Sequence, residues 1–134
     1  MATTTTVPTY TPAAAGNVIA SASIAASGTS SSTTALDFSA VFEGQLHILN
    51  TPSGSVAATR GLQIQIFRRY GTTPTTGQTA FLTYTLPSAV ASTAESLDVF
   101  LPTGKYAITL TNLDGTNAVT ASVTSDTVTN VTTT

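Results

Sequence analysis

Cysteine and tryptophan are absent from this chain, and histidine and methionine each occur once. Without cysteine there is no disulfide framework, no thiolate metal site and no cysteine nucleophile, and the redox compartment stays open. A single histidine, His47, rules out a His-rich metal centre and leaves a Ser-His-Asp triad only one base to use. Charge is scarce as well. Four Lys and Arg stand against six Asp and Glu, for a net charge of -2, and charged residues make up 7% of the chain, against roughly a quarter in typical soluble domains. Such a chain has no long-range field to draw nucleic acid or an anionic membrane, so neither partner is expected. Long hydrophobic runs are missing too. No stretch approaches a bilayer span, and the opening MATTTTVPTYTPAAAGNVIA has neither the basic start nor the apolar run of a signal peptide, which reads as a protein made in the cytoplasm.

Hydroxyls take the place of charge. The 134 residues include 30 Thr and 14 Ser, and this length suffices for one domain with a real core. With little charge to keep copies apart, the surface suits a protein that works packed in an assembly.

Residues 1–17 hold Thr3 to Thr6, Pro8, Pro12 and Ala13 to Ala15. This low-complexity stretch reads as an extended N-terminal arm before a sandwich domain of residues 18–134, either a disordered terminus or an arm that orders on a neighbouring subunit with Val7 and Tyr10 as its apolar anchors. A first strand is expected over Val18 to Ile24, then a polar loop from Ser27 to Thr34. From Leu36 to Ile48 the even positions are apolar, apart from Gly44, and the odd ones polar, apart from Val41, which predicts one continuous or bulged strand bent at Gly44. Turn residues follow at 50–54. Further alternating rows cover Leu62 to Ile66, Leu82 to Leu86 and Leu97 to Leu101. GTTPTTG at 71–77 reads as a turn and 87–93 as a crossover loop.

The segment 101–123 predicts a β-hairpin closed by Asp114-Gly115, a dipeptide that tolerates positive φ. In that register Leu110 faces Val119, Ile108 faces Ala121 and Tyr106 faces Val123, all apolar pairs, while the other face pairs small or hydroxylated residues. Thr127 to Val131 is expected as a further edge strand. Gly104-Lys105-Tyr106, after an apolar strand ending in Pro102, reads as a tyrosine corner. With no convincing 3.6-residue period anywhere, the chain is all-β: an Ig-like antiparallel β-sandwich of about 7–9 strands.

The residues announce no chemistry. Asp37, Glu43, Glu95, Asp98, Asp114 and Asp126 are scattered singly, and no G-x-S-x-G nucleophile motif or phosphate-binding Gly loop is visible. His47 reads as an ordinary surface or half-buried residue. No catalytic residue, cofactor or metal ligand is expected, and the chain reads as non-enzymatic. Arg68-Arg69 is the one charge cluster, a candidate docking point at a strand end.

ALDFSAVFEGQLHILNTPSG, the strand ending in RRYG, and LDVFLPTGKYAITLTNLDGTNAVTASVTSDTV together resemble small Ig-like structural proteins of tailed-bacteriophage virions, including head decoration proteins. The resemblance covers roughly residues 35–128 and carries architecture alone. It implies a virion location, repeated copies, and contact through arms and loops with the major capsid protein or other virion proteins, as a homo-oligomer or lattice. A second expectation of another class is an Ig-like module on a phage tail or cell surface that recognises carbohydrate.

Overall fold

The computed structural model describes residues 6–32, 36–41, 43–52, 60–69, 79–87 and 93–133. Among these residues there are nine strands: β1 (Thr6–Ile24), β2 (Thr29–Ser31), β3 (Leu36–Asp37), β4 (Glu43–Pro52), β5 (Leu62–Arg69), β6 (Leu82–Leu86), β7 (Glu95–Pro102), β8 (Lys105–Asn112) and β9 (Val119–Thr133). They form two antiparallel sheets packed face to face. One has the order β1-β9-β4-β7, the other β2-β8-β5-β6, with β3 pairing β8 beside β2. Of the turn expected at 50–54, residues 50–52 instead belong to β4; the rest of it, the turn at 71–77 and most of the crossover at 87–93 lie outside the described residues.

The alternation that predicts strands also builds the core. Leu46 and Ile48 on β4, Leu62, Ile64 and Ile66 on β5, Val99 and Leu101 on β7, Tyr106, Ile108 and Leu110 on β8, and Val119, Ala121 and Val123 on β9 are all buried. Each fully buried Leu, Ile or Val contributes about 1.5–3 kcal/mol of transfer free energy.

The sandwich is as expected, but its strand order is not the immunoglobulin one. In Ig-like domains the last two strands pair in a single sheet. Here β8 lies in the second sheet and β9 in the first. The connections β1–β2, β3–β4, β4–β5, β6–β7, β7–β8 and β8–β9 all pass from one sheet to the other. This is the wiring of a jelly roll, the double Greek-key sandwich.

Two sequence expectations fail for this one reason. The 101–123 hairpin is a crossing between sheets. Leu110 pairs with Ile64 and Ser30, and Val119 with Ile24 and Pro52, so the two apolar rows meet across the core rather than along one sheet face. Its turn is no two-residue hairpin, since residues 113–118 connect β8 to β9. Asp114 is buried and accepts hydrogen bonds from the backbone N–H of Thr116 (2.8 Å) and Asn117 (2.9 Å), capping a longer loop. The long strand from Leu36 to Ile48 is likewise broken between β3 and β4, which lie in opposite sheets. Phe38 turns into the core at the break, and a Cβ on Gly44 would land in its ring. Gly44 therefore makes room for an aromatic ring from the crossing.

Three smaller corrections follow from the pairing. The loop expected at Ser27 to Thr34 contains β2, held on β8 through Thr29↔Thr111 and Ser31↔Thr109. Thr127 to Val131 is no separate edge strand but a continuation of β9, which sits between β1 and β4. The arm expected over 1–17 is, from Thr6 onward, the first half of β1. It pairs with β9 from Thr6↔Thr133 to Pro12↔Asp126, and the register resumes at Asn17↔Thr124, so residues 13–16 bulge out.

Candidate functional site

Each end of the sandwich is tied by side chains. At one end the Tyr106 hydroxyl donates to the Pro102 carbonyl at 2.7 Å, with Gly104 between them at φ 152°. Phe38 N–H donates to Gly104 O at 2.7 Å, Thr103 Oγ1 donates to Val41 O at 3.0 Å, and the Phe38 and Tyr106 rings meet edge to face. The β7–β8 corner is thereby bound to the β3–β4 crossing. At the opposite end, buried Asn112 donates from Nδ2 to the carbonyls of Ile24, Ala25 and Asn117, and its Oδ1 accepts from Asp114 N–H. Ser27 N–H donates to Asp114 O at 2.8 Å. Gly104, Tyr106 and Asp114 belong to these ties, and Gly115 follows Asp114 in the loop it caps; all are scaffold.

The sequence-derived contact residues do not converge. Val7 and Tyr10 lie on β1 opposite Thr132 and Val128. Arg68 is at the end of β5 in the other sheet, exposed, with its guanidinium carbon 4.8 Å from the centroid of the Phe81 ring. It follows the inward row of its strand and extends past the core edge onto an aromatic face. The neighbouring Arg69 backbone pairs with Lys105.

What sequence reasoning missed lies on the outer face of the first sheet. His47 on β4 is flanked by β7 and β9, and its two ring nitrogens face opposite ways. Nδ1 lies 2.7 Å from Asp98 Oδ1 and Nε2 lies 2.9 Å from Asp126 Oδ2. An ionised carboxylate only accepts, so both contacts are complete hydrogen bonds when both ring nitrogens carry protons, in the imidazolium form. The hydrogen bond to Asp98, then that to Asp126, raise the His47 pKa above its ordinary value, against a smaller opposing effect of desolvation. The clasp joins three strands across the face. Among the described residues no group of His, Asp and Glu is arranged to hold a metal ion, and here each ring nitrogen is already engaged by a carboxylate.

Around the clasp the same face carries apolar side chains in the open. Phe100, cross-strand from Gln45, is 57% exposed, and Leu49, cross-strand from Ser96, is 44% exposed. The outer face of the second sheet is different in kind. Its register aligns Thr85, Gln63, Thr111 and Thr29 in one rank and Thr83, Gln65, Thr109 and Ser31 in the next. Only hydroxyls and amides stand in these two ranks, with Ser31 Oγ and Thr109 Oγ1 3.0 Å apart, and the next rank is Phe67 beside Ala107. Charge returns below them, where Lys105 meets Asp37 at 3.3 Å. Hydrogen bonds from Ser39, with a smaller contribution from Lys105, hold the Asp37 pKa below its ordinary value. No helix among the described residues is long and apolar enough to cross a membrane.

No known family model matches this chain, and no curated protein matches it either.

Proposed function

We propose that this chain is a non-enzymatic structural subunit of a virus particle, a decoration or cement protein that binds between capsomers of a tailed-phage head and stabilises it. The observation that carries the reading is the ribbon formed by residues 6–9 of β1 and 130–133 of β9. Pairing of β9 with β4 runs to Val128, and beyond it, among the described residues, this ribbon has two strands only. A two-stranded ribbon is marginal alone in water; laid against a neighbouring capsid subunit it gains the partner it lacks. The jelly-roll wiring recurs in viral capsid domains, which is an analogy of fold and no more. Many copies, each held weakly, would reinforce a shell through multivalency.

The test is binding to purified particles. Full-length protein should co-sediment with heads at a fixed copy number and appear as a regular lattice in electron micrographs. A variant lacking residues 1–9 should lose most of that binding while its sandwich still melts cooperatively. Absence of the full chain from particles would sink the reading.

A second reading, carbohydrate recognition at a cell or tail surface, is favoured by the uncharged ranks on the second sheet. Jelly rolls also serve as lectins, and hydroxyl and amide groups in register suit a neutral glycan. Glycan-array binding by the isolated chain, lost on Gln63→Ala with Gln65→Ala, would select it over the first.

A further inference from the structure

Among the described residues the buried polar side chains are Ser32, Asn50, Asn112, Asp114 and Ser125. A buried acceptor without a hydrogen bond has given up its hydration with no return, so nearly all such groups are satisfied. Ser32 Oγ accepts from Ile108 N–H at 3.1 Å, Asn112 joins three carbonyls and an N–H, and Asp114 caps its loop. The exception is Asn50 Oδ1. Among the described residues it alone of the buried side-chain oxygens and nitrogens has no partner, in a residue that is 1% exposed.

The register shows what this oxygen faces. Asn50 continues the inward row of Leu46 and Ile48 on β4, and its cross-strand neighbours are Ala121 on β9 and Glu95 on β7. Directly opposed residues share a face of the sheet. Glu95 therefore begins the inward row of Leu97, Val99 and Leu101, and it is half-buried. Among the described residues no hydrogen bond or ion pair engages its carboxylate. An amide oxygen and an ionised carboxylate both only accept, so they cannot bond to each other. Whatever joins them must donate twice.

We infer that a bound water is held between Asn50 Oδ1 and the Glu95 carboxylate, donating one proton to each and tying β7 to β4 on the core side. Donor count and size select water. Opposed Cβ atoms on paired strands lie about 4.5–5.5 Å apart, which leaves between the side chains room for one small molecule, and on the other flank Ala121 offers the amide only a methyl. A hard cation such as calcium takes about six to eight oxygens, whereas this inward rank supplies one amide and one carboxylate. Two polar partners meet the minimum for a buried water. The bridge complements the His47 clasp: three residues along each strand, His47 and Asp98 join β4 to β7 on the outer face.

The experiment is water–amide cross-relaxation NMR on the full chain. The bound water should give cross-peaks to the Asn50 side-chain amide protons and to the backbone N–H groups of residues 50 and 95, with the sign of a molecule that tumbles with the protein. Asn50→Leu should abolish the backbone cross-peaks while the chain still melts cooperatively, because an apolar side chain suits a core position. Glu95→Leu, at a half-buried place, should shrink them by removing one of the two acceptors. Ser96→Ala, on the exposed side of β7, should leave them unchanged. A crystal structure at high resolution should place the water within hydrogen-bond distance of both side chains. No cross-peak in the unmodified chain, cross-peaks that survive Asn50→Leu, undiminished cross-peaks in Glu95→Leu, or an Asn50 Nδ2 bonded directly to the Glu95 carboxylate would each overturn the proposal.

Discussion

Raising the pH should loosen the His47 clasp, and the size and sign of the effect follow from its geometry. In the folded chain both imidazole nitrogens donate to carboxylates, so the folded state binds the His47 proton more tightly than the unfolded one. A folded pKa raised above the unfolded value contributes stability that is fully present below about pH 6.5 and is lost as pH rises through the folded pKa. The partners are not deeply buried. The side chains of His47, Asp98 and Asp126 are 37%, 56% and 33% exposed, so solvent screening keeps each pair near the surface value of about 0.5 kcal/mol, or about 1 kcal/mol together. For a domain of this size that is a shift of about 4 °C in Tm. Flanking positions on the face, Gln45 and Leu49 on β4, Ser96 and Phe100 on β7, and Ser122 and Thr124 on β9, carry no charge, and Glu43 lies four residues along β4. Thermal unfolding from pH 5 to pH 9 should therefore show a Tm difference between the native chain and His47→Gln that is largest below pH 6.5 and vanishes at the alkaline end. NMR titration of the lone imidazole gives the folded pKa directly. A His47 that titrates below 6.5, or a Tm difference that grows with pH, would refute the imidazolium assignment.

Three other substitutions test the scaffold. Tyr106→Phe removes the hydroxyl that donates to Pro102 O at 2.7 Å and should cost about 1 kcal/mol, read as a fall in the urea midpoint with an unchanged slope. Gly44→Ala sets a methyl into the Phe38 ring and should cost about 2 kcal/mol by overpacking; pairing it with Phe38→Leu should recover part of the loss, since the two changes share one cavity. Asn112→Ala strips partners from the carbonyls of Ile24, Ala25 and Asn117 and from Asp114 N–H. It should cost about 3 kcal/mol, with faster amide exchange at residues 24–28 and 112–117.

The elements were legible from the sequence because a buried strand face imposes a two-residue period whichever sheet it joins. Leu62, Ile64 and Ile66 could be placed in the core on that ground alone, and they are buried. Sheet membership was not legible, for the same reason. A chain that crosses from one sheet to the other keeps its inward row facing the same core, so the apolar rows 106–110 and 119–123 match equally well as hairpin partners or as opposite walls. The tyrosine corner shows the limit. Tyr106 does bond back to Pro102, but such a corner steadies any sharp turn between sheets and does not by itself specify immunoglobulin wiring.

Legibility of the candidate site is governed by wiring too. Asp98 lies 51 residues after His47 in the chain and Asp126 lies 79 after it, and no local spacing links residues so far apart. Once β4 is known to lie between β7 and β9, the register sets Asp98 directly across from His47 and places Asp126 one step diagonally away, across from Gln45. The lone histidine then stops being an incidental surface residue and becomes the point where β4, β7 and β9 are joined.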